Sequence, residues 1–549
     1  PRLPLLLQEC ITFAIVAVLA FIFGTWGYDL VQLCLETGSW YYMAALLMAP
    51  AALVWVLFSL YVVIGSIVFV IGPLSALKTN STYYSCIPSK PPRKGKLPRV
   101  TIQMPVYKES LIETILPTIK SLTVALNFYR EQGGEANIFI NDDGLCYLSD
   151  EEAQDRRDAY NKLGVGFVAR PKATVRISPA FPRRGRFKKA SNMNYALDVS
   201  MKVEKIMHEK ENVTSAAALK MVQDSTGHEF EAGGDMKMGE IILLVDSDTR
   251  VPQDCLYKVQ GEFAMDENLG FLQCRTTPLL ICEDNYFEKF IGHFTRIIYD
   301  LGIATSCAWG TISPLVGHNA FLRWEHLKKI SWYDEEDKMQ KFWSESHVSE
   351  DFDLSLRLFS TGHIGRYVTY TGPDFKEGVS LTVHDEITKL RKFAFGACEM
   401  IFNPVSRWLF DGIFTTLWKT FIFCSSIPWY CKFGLLGYLG TYLAMGAAPI
   451  LIIAHYAVLT AGVVDDASFI ILEPWSVFVT VTFIFGFAGT VATVQSSSFS
   501  WPLLAIIRDT VYGGLVTGLF FSGLTYHMFV ANTSYFLGLE VSWGSTGKQ

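Results

Sequence analysis

The sequence lacks the short signatures of several common nucleotide-binding and metal-binding proteins. Its 11 cysteines are scattered, with no C-x-x-C pair and no spacing typical of a metal site. In a domain that faces the cytosol, such cysteines are expected to stay reduced. No G-x-x-x-x-G-K-S/T stretch occurs, which argues against a P-loop nucleotidase. No G-x-G-x-x-G follows the first predicted strand, which argues against a dinucleotide-binding fold.

Charged residues are absent from long stretches of the 549-residue chain, although they make up 18% of it. The composition is 50% hydrophobic with mean hydropathy +0.25, too apolar for an ordinary soluble enzyme and too charged for a pure membrane bundle. Apolar runs, each about long enough to span a bilayer, lie at 11–26, 40–76, 426–460, 468–494 and 510–531. We therefore expect a polytopic membrane protein with one inserted α/β domain.

The flanking charges predict how the protein is oriented in the membrane. The 27–39 connection has no Lys or Arg, whereas 89–99 (SKPPRKGKLPR) is rich in both, so the large domain should be cytosolic. The first run has no small-residue cleavage site after it and is expected to be an anchor. The predicted layout is transmembrane helices at 1–76, a catalytic domain at 77–385, interface helices at 386–425 and a C-terminal transmembrane region with a short tail at 426–549.

The sequence pattern of the predicted domain indicates strands that alternate with helices. This alternation predicts a parallel sheet with helices on both faces. A helix is predicted at Ile115–Leu126, an inserted loop at 202–239, and amphipathic helices at Tyr286–Ile303 and Leu409–Phe423. The predicted strands are Arg99–Pro105, Asn137–Ile140, Val165–Arg170, 241–245 and Gly270–Gln273.

Three of these strands end in acidic tips, and ligands of such sheets bind beyond the strands' carboxyl ends. The tips contain Glu109, the pair Asp142-Asp143, and Asp246 with Asp248. Asp246 and Asp248 share one side of an extended chain, and two carboxylates so close suit Mg²⁺ or Mn²⁺. One D-x-D alone is also typical of a solvated turn. Three tips at one edge indicate a metal-bound polyanionic ligand such as a nucleotide.

Two further stretches carry candidate chemistry. In RRGRFKKASNMNYAL (183–197), Ser191-Asn192 predicts a helix start just behind Lys189, and helix N-termini bind phosphate; the alternative is a solvated basic loop. In HVSEDFDLSLRLFS (347–360), Ser349 followed by two acids predicts a helix start. Asp351 is either a capping acid or a general base that takes a proton from an incoming hydroxyl.

In this order, the motifs resemble membrane-embedded family 2 glycosyltransferases, the cellulose, chitin and hyaluronan synthase superfamily. The resemblance covers about residues 97 to 425, and the tail VSWGSTGK at 541–548 is similar to fungal members, which implies a fungal source. The matching stretches are QMPVYKE (103–109), NDDG (141–144), KKASNMNYAL (188–197), DSD (246–248), GHNAFLRW (317–324) and SED (349–351).

The resemblance implies a cytosolic, Rossmann-like GT-A domain and a UDP-sugar donor. Asp246 and Asp248 would coordinate Mn²⁺ or Mg²⁺ on the diphosphate, and Lys189 would contact that diphosphate. The uridine would be held by Tyr107, Glu109 and Asp142 or Asp143. Asp351, with Glu350 beside it, would deprotonate the acceptor, and Gly317, His318 and Asn319 would form the acceptor-facing loop.

One departure from the family concerns its Q-x-x-R-W motif, which is aligned here with Lys389–Phe393. Lys392 replaces the Arg that contacts diphosphate, and Phe393 replaces the acceptor-facing Trp. Lysine does not reproduce the bidentate guanidinium fork; Arg391 is an alternative source of it. Trp309 and Trp324 are alternatives for the lost ring.

The preferred function is an inverting plasma-membrane synthase that extends a β-linked cell-wall or extracellular polysaccharide and passes it through its own helices. UDP-glucose and UDP-N-acetylglucosamine are the favoured donors, the bilayer is a partner, no nucleic acid is expected, and a homo-oligomer is left open. The alternatives are a single transfer to a lipid or glycolipid and, from another class, a transporter with a regulatory nucleotide-binding domain. Mostly uncharged spans disfavour the transporter.

Overall fold

The computed structural model describes residues 7–72, 74–91, 97–172, 183, 188–210, 213–226, 229–282, 284–370, 375–461 and 503–539. The apolar run predicted at 468–494 and the tail at 541–548 lie outside these ranges.

The strands of the described residues are β1 (Tyr84–Ser85), β2 (Val100–Val106), β3 (Ala136–Asp142), β4 (Gly166–Ala169), β5 (Glu231–Gly233), β6 (Ile241–Leu244), β7 (Leu269–Cys274), β8 (Thr276–Leu279), β9 (Ala320–Arg323), β10 (Trp332–Asp334), β11 (Met339–Lys341), β12 (Ile364–Val368) and β13 (Phe375–Gly378). Nine of them form one sheet in the order β1-β12-β7-β9-β6-β2-β3-β4-β5. β10 pairs with β11, and β13 pairs with β8. All five predicted strands are confirmed.

The sheet is mixed, which corrects the expectation of a purely parallel one. β9 runs antiparallel to both β6 and β7, and edge strand β5 runs antiparallel to β4. The other seven strands run in one direction. The carboxyl ends of β2, β3 and β6 therefore meet at one edge, and the residues that precede β9 reach that same edge.

The α-helices of the described residues are α1 (Leu7–Thr37), α2 (Ala49–Ile71), α3 (Leu116–Glu131), α4 (Asp150–Leu163), α5 (Lys188–Glu209), α6 (Ser215–Thr226), α7 (Cys255–Lys258), α8 (Gln260–Met265), α9 (Tyr286–Ile297), α10 (Ala304–Trp309), α11 (Trp324–Lys329), α12 (Glu350–Ser360), α13 (Val383–Ile401), α14 (Trp408–Asp411), α15 (Thr416–Phe423), α16 (Trp429–Thr460) and α17 (Leu503–Phe536). A 3₁₀ segment spans Trp40–Met48, and π turns span Leu111–Ile115 and Ile298–Ile303.

Alternation along the central strands separates two apolar cores, as successive strand side chains point to opposite faces. In β6, Ile242 and Leu244 pack with α5, α6 and α12, whereas Ile241 and Leu243 pack with α3 and α4. The stretch 202–239, expected to be an inserted loop, instead contains the end of α5, α6 and β5. Ala218, Leu219 and Val222 give this helix its buried face.

Four helical segments of the described residues are long and apolar enough to cross a membrane: Leu7–Thr37, Trp40–Val68, Leu111–Glu131 and Trp429–Thr460. The third belongs to the α/β domain, because its residues Ile115, Ile119 and Leu122 pack on the sheet. The predicted run at 510–531 lies within α17. α16 packs against both α2 and α17, so the N-terminal and C-terminal helix sets form one bundle.

Both predicted amphipathic segments are helical, with interruptions. α9 presents Phe287 and Phe290 to Phe520 of α17, with ring centroids 5.9 and 5.8 Å apart, before the π turn that begins at Ile298. The second segment is divided into α14 and α15 at Gly412, whose φ of +81° requires the left-handed region.

Candidate active site

The acidic pair that follows β6 lies at the carboxyl edge of the sheet. Asp246 Oδ1 accepts a hydrogen bond from Lys189 Nζ at 2.8 Å. β13 passes beside Asp248: a Cβ built on Gly378 would lie 2.9 Å from Asp248 Oδ2. The absence of a side chain at Gly378 therefore leaves room for the carboxylate.

Lys189 connects the acidic pair to a second loop. Its Nζ also donates to the carbonyl oxygen of Gly317 at 3.3 Å. A Cβ on Gly317 would lie 2.8 Å from Asp351 Oδ2, and Gly317 has φ +84°. Glycine thus serves both the backbone conformation and the close approach, and Asp246, Lys189, Gly317 and Asp351 form one continuous cluster.

Asp351 has the electrostatic setting of a general base. It lies in the first turn of α12 and accepts a hydrogen bond from the Phe352 amide at 2.9 Å. Burial and the adjacent Glu350 carboxylate raise the pKa of Asp351 to about 7, although Lys189 opposes the shift. A carboxylate with a pKa near neutrality is well matched to proton abstraction at neutral pH.

The charge of Lys189 is secured by the same cluster. Burial acts to lower the pKa of Lys189, but Asp246, Glu350 and Asp351 outweigh it and raise that pKa. α5 is described from Lys188 onward, so the predicted cap at Ser191-Asn192 is wrong. Both residues are buried and lie within the helix. The Ser191 hydroxyl donates to Lys188 O, and the Asn192 side-chain amide donates to Asn141 O.

His318 pairs with Glu377 on β13, a residue that no sequence motif singled out. The His318 Nε2 atom contacts a Glu377 carboxylate oxygen and lies 3.5 Å from the Tyr299 hydroxyl. Burial acts to lower the pKa of His318, but Glu377 outweighs it and raises that pKa. Tyr299 belongs to the π turn after α9, and such turns occur often at functional sites.

Asp142, one of the two acids predicted as alternative uridine ligands, has its carboxylate bonded within the protein. It is fully buried, and its oxygens accept hydrogen bonds from Arg156 and Tyr160 and from the amides of Gly144 and Leu145. Arg156 and Tyr160 are four residues apart on α4, and that helical spacing was an available sequence signal.

Arg156 also fixes the loop that carries the predicted uridine ligands Tyr107 and Glu109. It donates to Tyr107 O at 3.0 Å and to Glu109 O at 2.6 Å. The Glu109 carboxylate accepts the Tyr107 amide at 2.7 Å. A Cβ on Gly144 would lie 1.5 Å from Tyr107 O, so this loop depends on glycine. The Tyr107 ring is exposed enough to meet a ligand, at 37%.

Asp143 is held by two arginines. Arg170 binds it through Nε–Oδ1 at 2.7 Å and Nη2–Oδ2 at 2.8 Å, and Arg183 Nη1 lies 3.0 Å from Oδ1. Arg183 also lies over the Tyr147 ring, 4.6 Å from its centroid. Arg183 is therefore buried at the site rather than part of a solvated basic loop. Arg184 and Arg186 lie outside the described residues.

Two predicted acceptor residues face the protein interior. Asn319 is buried, with φ +51°, and its side-chain amide donates to Thr276 at 3.1 Å. Trp309 is buried in the core that joins α10 to α1. Direct contact of either side chain with a sugar stays a prediction.

The altered motif lies on α13, close to the start of α12. A Cβ on Gly396 would lie 2.2 Å from Ser349 Oγ. Lys392 and Phe393 are one turn earlier on α13. Phe393 is 40% exposed, and its ring centroid lies 6.3 Å from that of Tyr442 on α16. The motif thus joins the α/β domain to α16, one of the helices apolar enough to cross a membrane.

The donor set fits a divalent cation of the Mg²⁺ or Mn²⁺ class. Asp246 and Asp248 supply carboxylate oxygens, which these ions prefer. Within the described part of the chain, no group of three or more His, Cys, Asp or Glu residues is arranged to hold a metal. Two carboxylates suit an ion that takes its other ligands from phosphates and water, and do not suit a closed zinc site.

Comparison with known proteins gives a family match and two structural neighbours. Residues 241–464 match the family model described as glycosyl transferase family group 2. No curated protein sequence matches the chain. Among solved structures, the mannosyltransferase PcManGT from Pyrobaculum calidifontis, in complex with GDP-Man and Mn²⁺, has TM-score 0.42 and 12% identity, covering 89% of this chain and 100% of its own. A mycobacterial protein has TM-score 0.26 and 13% identity, covering 49% and 66%.

Proposed function

We propose that the glycosyltransferase family 2 domain of this chain transfers a sugar from a UDP-sugar, with inversion, to a growing β-linked polysaccharide. The observation that carries the proposal is the cluster Asp246–Lys189–Gly317–Asp351. It joins the carboxylate proposed to bind the metal to the proposed base, Asp351, whose pKa is about 7. The domain has the expected GT-A-like α/β arrangement, together with helices apolar enough to span a membrane.

Binding of the nucleobase would involve Tyr107 and Asp143. Each carboxylate oxygen accepts about two hydrogen bonds. Within the described part of the chain, Asp143 Oδ1 contacts Arg170 and Arg183, and Oδ2 accepts a hydrogen bond from Arg170. Asp143 Oδ2 is proposed to accept a second hydrogen bond, from a base N–H such as that of uracil. The exposed Tyr107 ring offers a surface on which the base can stack.

Binding of the diphosphate would fall to Lys189 and a divalent cation held by Asp246 and Asp248. When bound, Mn²⁺ or Mg²⁺ offsets the negative charge that develops on the leaving UDP. Lys189 supplies a further fixed positive charge at the same place, and its raised pKa keeps it protonated. Lys392 is proposed to contact the diphosphate from α13.

Asp351 would take the proton from the acceptor hydroxyl, and Glu350 raises its basicity. Attack from the face opposite UDP inverts the anomeric carbon, which gives the β-linkage. Gly317 and His318 lie beside Asp351 and Asp246 and are proposed to face the acceptor. The Asn319 side-chain amide supports this loop by donating a hydrogen bond to the Thr276 hydroxyl.

A row of aromatic rings supports transfer of the product toward the membrane helices. Phe352, next to Asp351, stacks on Tyr438 of α16 with centroids 5.5 Å apart, and Tyr442 is one turn further along that helix, beside Phe393. Aromatic faces suit sugar rings. We propose processive extension and secretion by a multi-pass plasma-membrane protein with a cytosolic domain.

A second candidate function is a single transfer to a lipid or glycolipid acceptor. The observation that favours it is the replacement at Lys392 and Phe393, because a phenyl ring and an ammonium group replace the family's indole and guanidinium. The exposed Phe393 ring, close to the membrane helices, would suit an acceptor with an apolar part.

The acidic surroundings of the site favour a neutral sugar. Glu350, Asp351 and Glu377 all lie at or beside the site, and a uronate would add a further negative charge next to them. UDP-glucose and UDP-N-acetylglucosamine are therefore preferred over UDP-glucuronate.

The test is UDP release by purified protein in detergent with Mn²⁺ or Mg²⁺, across a panel that includes these three donors and GDP-mannose. Products are sized and digested with linkage-specific hydrolases. We expect release with one neutral UDP-sugar and a long β-linked product. A product with one added sugar on a lipid would favour the second candidate, and turnover with GDP-mannose alone would overturn the proposed donor.

A further inference from the structure

The loop that leads into helix α12, which carries Asp351, is held by a hydrogen bond to a side chain of α13. The backbone amide of Val348 donates a hydrogen bond to Glu399 Oε2 at 2.7 Å. Glu399 is buried, with 8% of its surface exposed. A buried carboxylate that accepts a backbone N–H forms a strong, charge-assisted hydrogen bond.

This outside contact matters because α12 lacks the usual support of its own cap. Ser349 occupies the N-cap position, but its side chain makes no capping hydrogen bond. The Ser349 hydroxyl instead lies against Gly396 of α13, where a Cβ would come within 2.2 Å of its oxygen. Two residues of α13, Glu399 and Gly396, therefore set the direction in which the chain enters α12. Asp351 lies two residues after Ser349.

The position of α13 is in turn fixed by α17, the last described helix. The Cys398 thiol donates to Asn532 Oδ1 at 3.3 Å, and Asn532 Nδ2 donates to Tyr442 O at 3.2 Å. Gly446 allows this approach, since a Cβ there would lie 2.2 Å from Asn532 Nδ2. One asparagine thus ties together α13, α16 and α17, directly behind Glu399.

We infer that Glu399 is a positioning residue for Asp351: its carboxylate fixes the Val348 amide and so places the base against Gly317 and the acceptor. The inference rests on the proposed function of Asp351. Neither carboxylate of the donor site takes part in this contact, so its loss should slow the chemical step and leave nucleotide binding intact. A displacement of about 1 Å can cost on the order of 100-fold in rate.

The test compares two substitutions at one site. Glu399→Gln keeps a side-chain oxygen that can accept the Val348 N–H, whereas Glu399→Leu removes the acceptor at similar volume. The matched control is Glu204→Leu. Glu204 lies on a different helix, α5, and its Oε1 likewise accepts a hydrogen bond from a backbone N–H, that of Met238 at 2.6 Å. Each purified variant is measured for kcat, donor KM, UDP affinity, and hydrogen exchange of the peptide that contains Val348.

The expected result is a split between kcat and KM. Glu399→Leu should lower kcat by about 30- to 100-fold, with donor KM and UDP affinity within about twofold, and should speed exchange of the Val348 amide. Glu399→Gln should recover at least about a third of kcat and most of the protection, and Glu204→Leu should leave kcat unchanged. Equal loss in the Gln and Leu variants, or near-normal kcat in Glu399→Leu, would overturn the inference.

Two provisions keep this outcome separate from folding and from the proposed function. Should Glu399→Leu not purify in a folded state, Glu399→Asp takes its place, since its carboxylate is one methylene further from Val348; unchanged kcat would then overturn the inference. Should the wild type turn over no donor, the proposed function fails, whereas exchange at Val348 still tests the contact. Normal Val348 protection in the Leu or Asp variant would show that Glu399 does not hold the loop.

Discussion

Neighbouring acidic residues have different roles in this domain because each has different partners. All the acceptor capacity of Asp142 is directed to Arg156, Tyr160 and two backbone amides. Asp143 is bound by Arg170 and Arg183 and is the acid proposed to accept a base N–H. The sequence left these two acids equivalent, because their partners come from helices and loops that only the fold brings near.

The raised pKa of Asp351 predicts the pH dependence of the reaction. A general base must be ionised to act, and Asp351 is protonated below its pKa of about 7. We expect kcat/KM, which reports ionisations of the free enzyme, to fall about tenfold per pH unit below about pH 7. The measurement is the rate at limiting donor from about pH 5.5 to about pH 8.5, with UDP affinity measured alongside. A flat profile would contradict the assignment of the base.

A single methyl group at Gly144 should damage the nucleotide side of the site. The new Cβ would lie 1.5 Å from Tyr107 O, so Gly144→Ala must push apart the two loops that carry Tyr107 and Asp143. We expect donor KM to rise at least about tenfold, the equivalent of about 1.4 kcal/mol.

The control for that substitution is Gly65→Ala. Gly65 lies in α2 and has nothing within 4 Å of a built Cβ, so its KM should stay near the wild-type value. A normal KM in Gly144→Ala would mean that the two loops do not act together in donor binding.

At the level of elements, the predictable features were those set by local periodicity and composition. The strands, the helix after β2 and the helix that begins at Glu350 follow from apolar patterning and acids at a helix start. β9 has a similar pattern, but its antiparallel direction depends on pairing with β6 and β7, residues distant in sequence. The start of α5 was misplaced because Ser191 and Asn192 bond to the surrounding protein instead of capping the helix.

The short helix α14 should enter the membrane interface. Leu409 and Phe410 are 95% and 87% exposed, and leaving two such side chains in water is unfavourable by about 1.5–3 kcal/mol each. A photo-crosslinking amino acid that replaces Phe410 should label lipid in a bilayer. The same group at Lys205, an exposed site on α5, should not. Crosslinking from position 410 to water-soluble reagents, with none to lipid, would contradict an interfacial location.

For the whole molecule, the central question is where the α/β domain lies relative to the membrane. α1 ends at Thr37 and the next helical segment begins at Trp40, so residues 38–39 form the first turn between apolar helices. Lysine and arginine are absent from 27–39 and abundant at 89–99, which predicts that this turn lies outside and the domain inside.

Insertion of a glycosylation acceptor cassette tests that orientation. A cassette between Gly38 and Ser39 should be glycosylated in microsomes, whereas one at Lys338, in the β10–β11 turn, should not. Asn80 should also stay unmodified, because its side chain accepts the Cys86 and Ile87 amides at 3.0 Å each. Glycosylation of the cassette at 338, with none at 38–39, would show that the orientation is the reverse of the predicted one.

The residues brought together at the carboxyl edge act as one site only if Asp351 drives sugar transfer. The most direct measurement is incorporation of labelled sugar from the active UDP-sugar by wild type and by Asp351→Asn, with UDP affinity measured on the same preparations. The expected result is a loss of at least about 100-fold in transfer, within the range that a general base contributes, with UDP affinity within about twofold. Near-wild-type transfer by Asp351→Asn would contradict the mechanism proposed for this site.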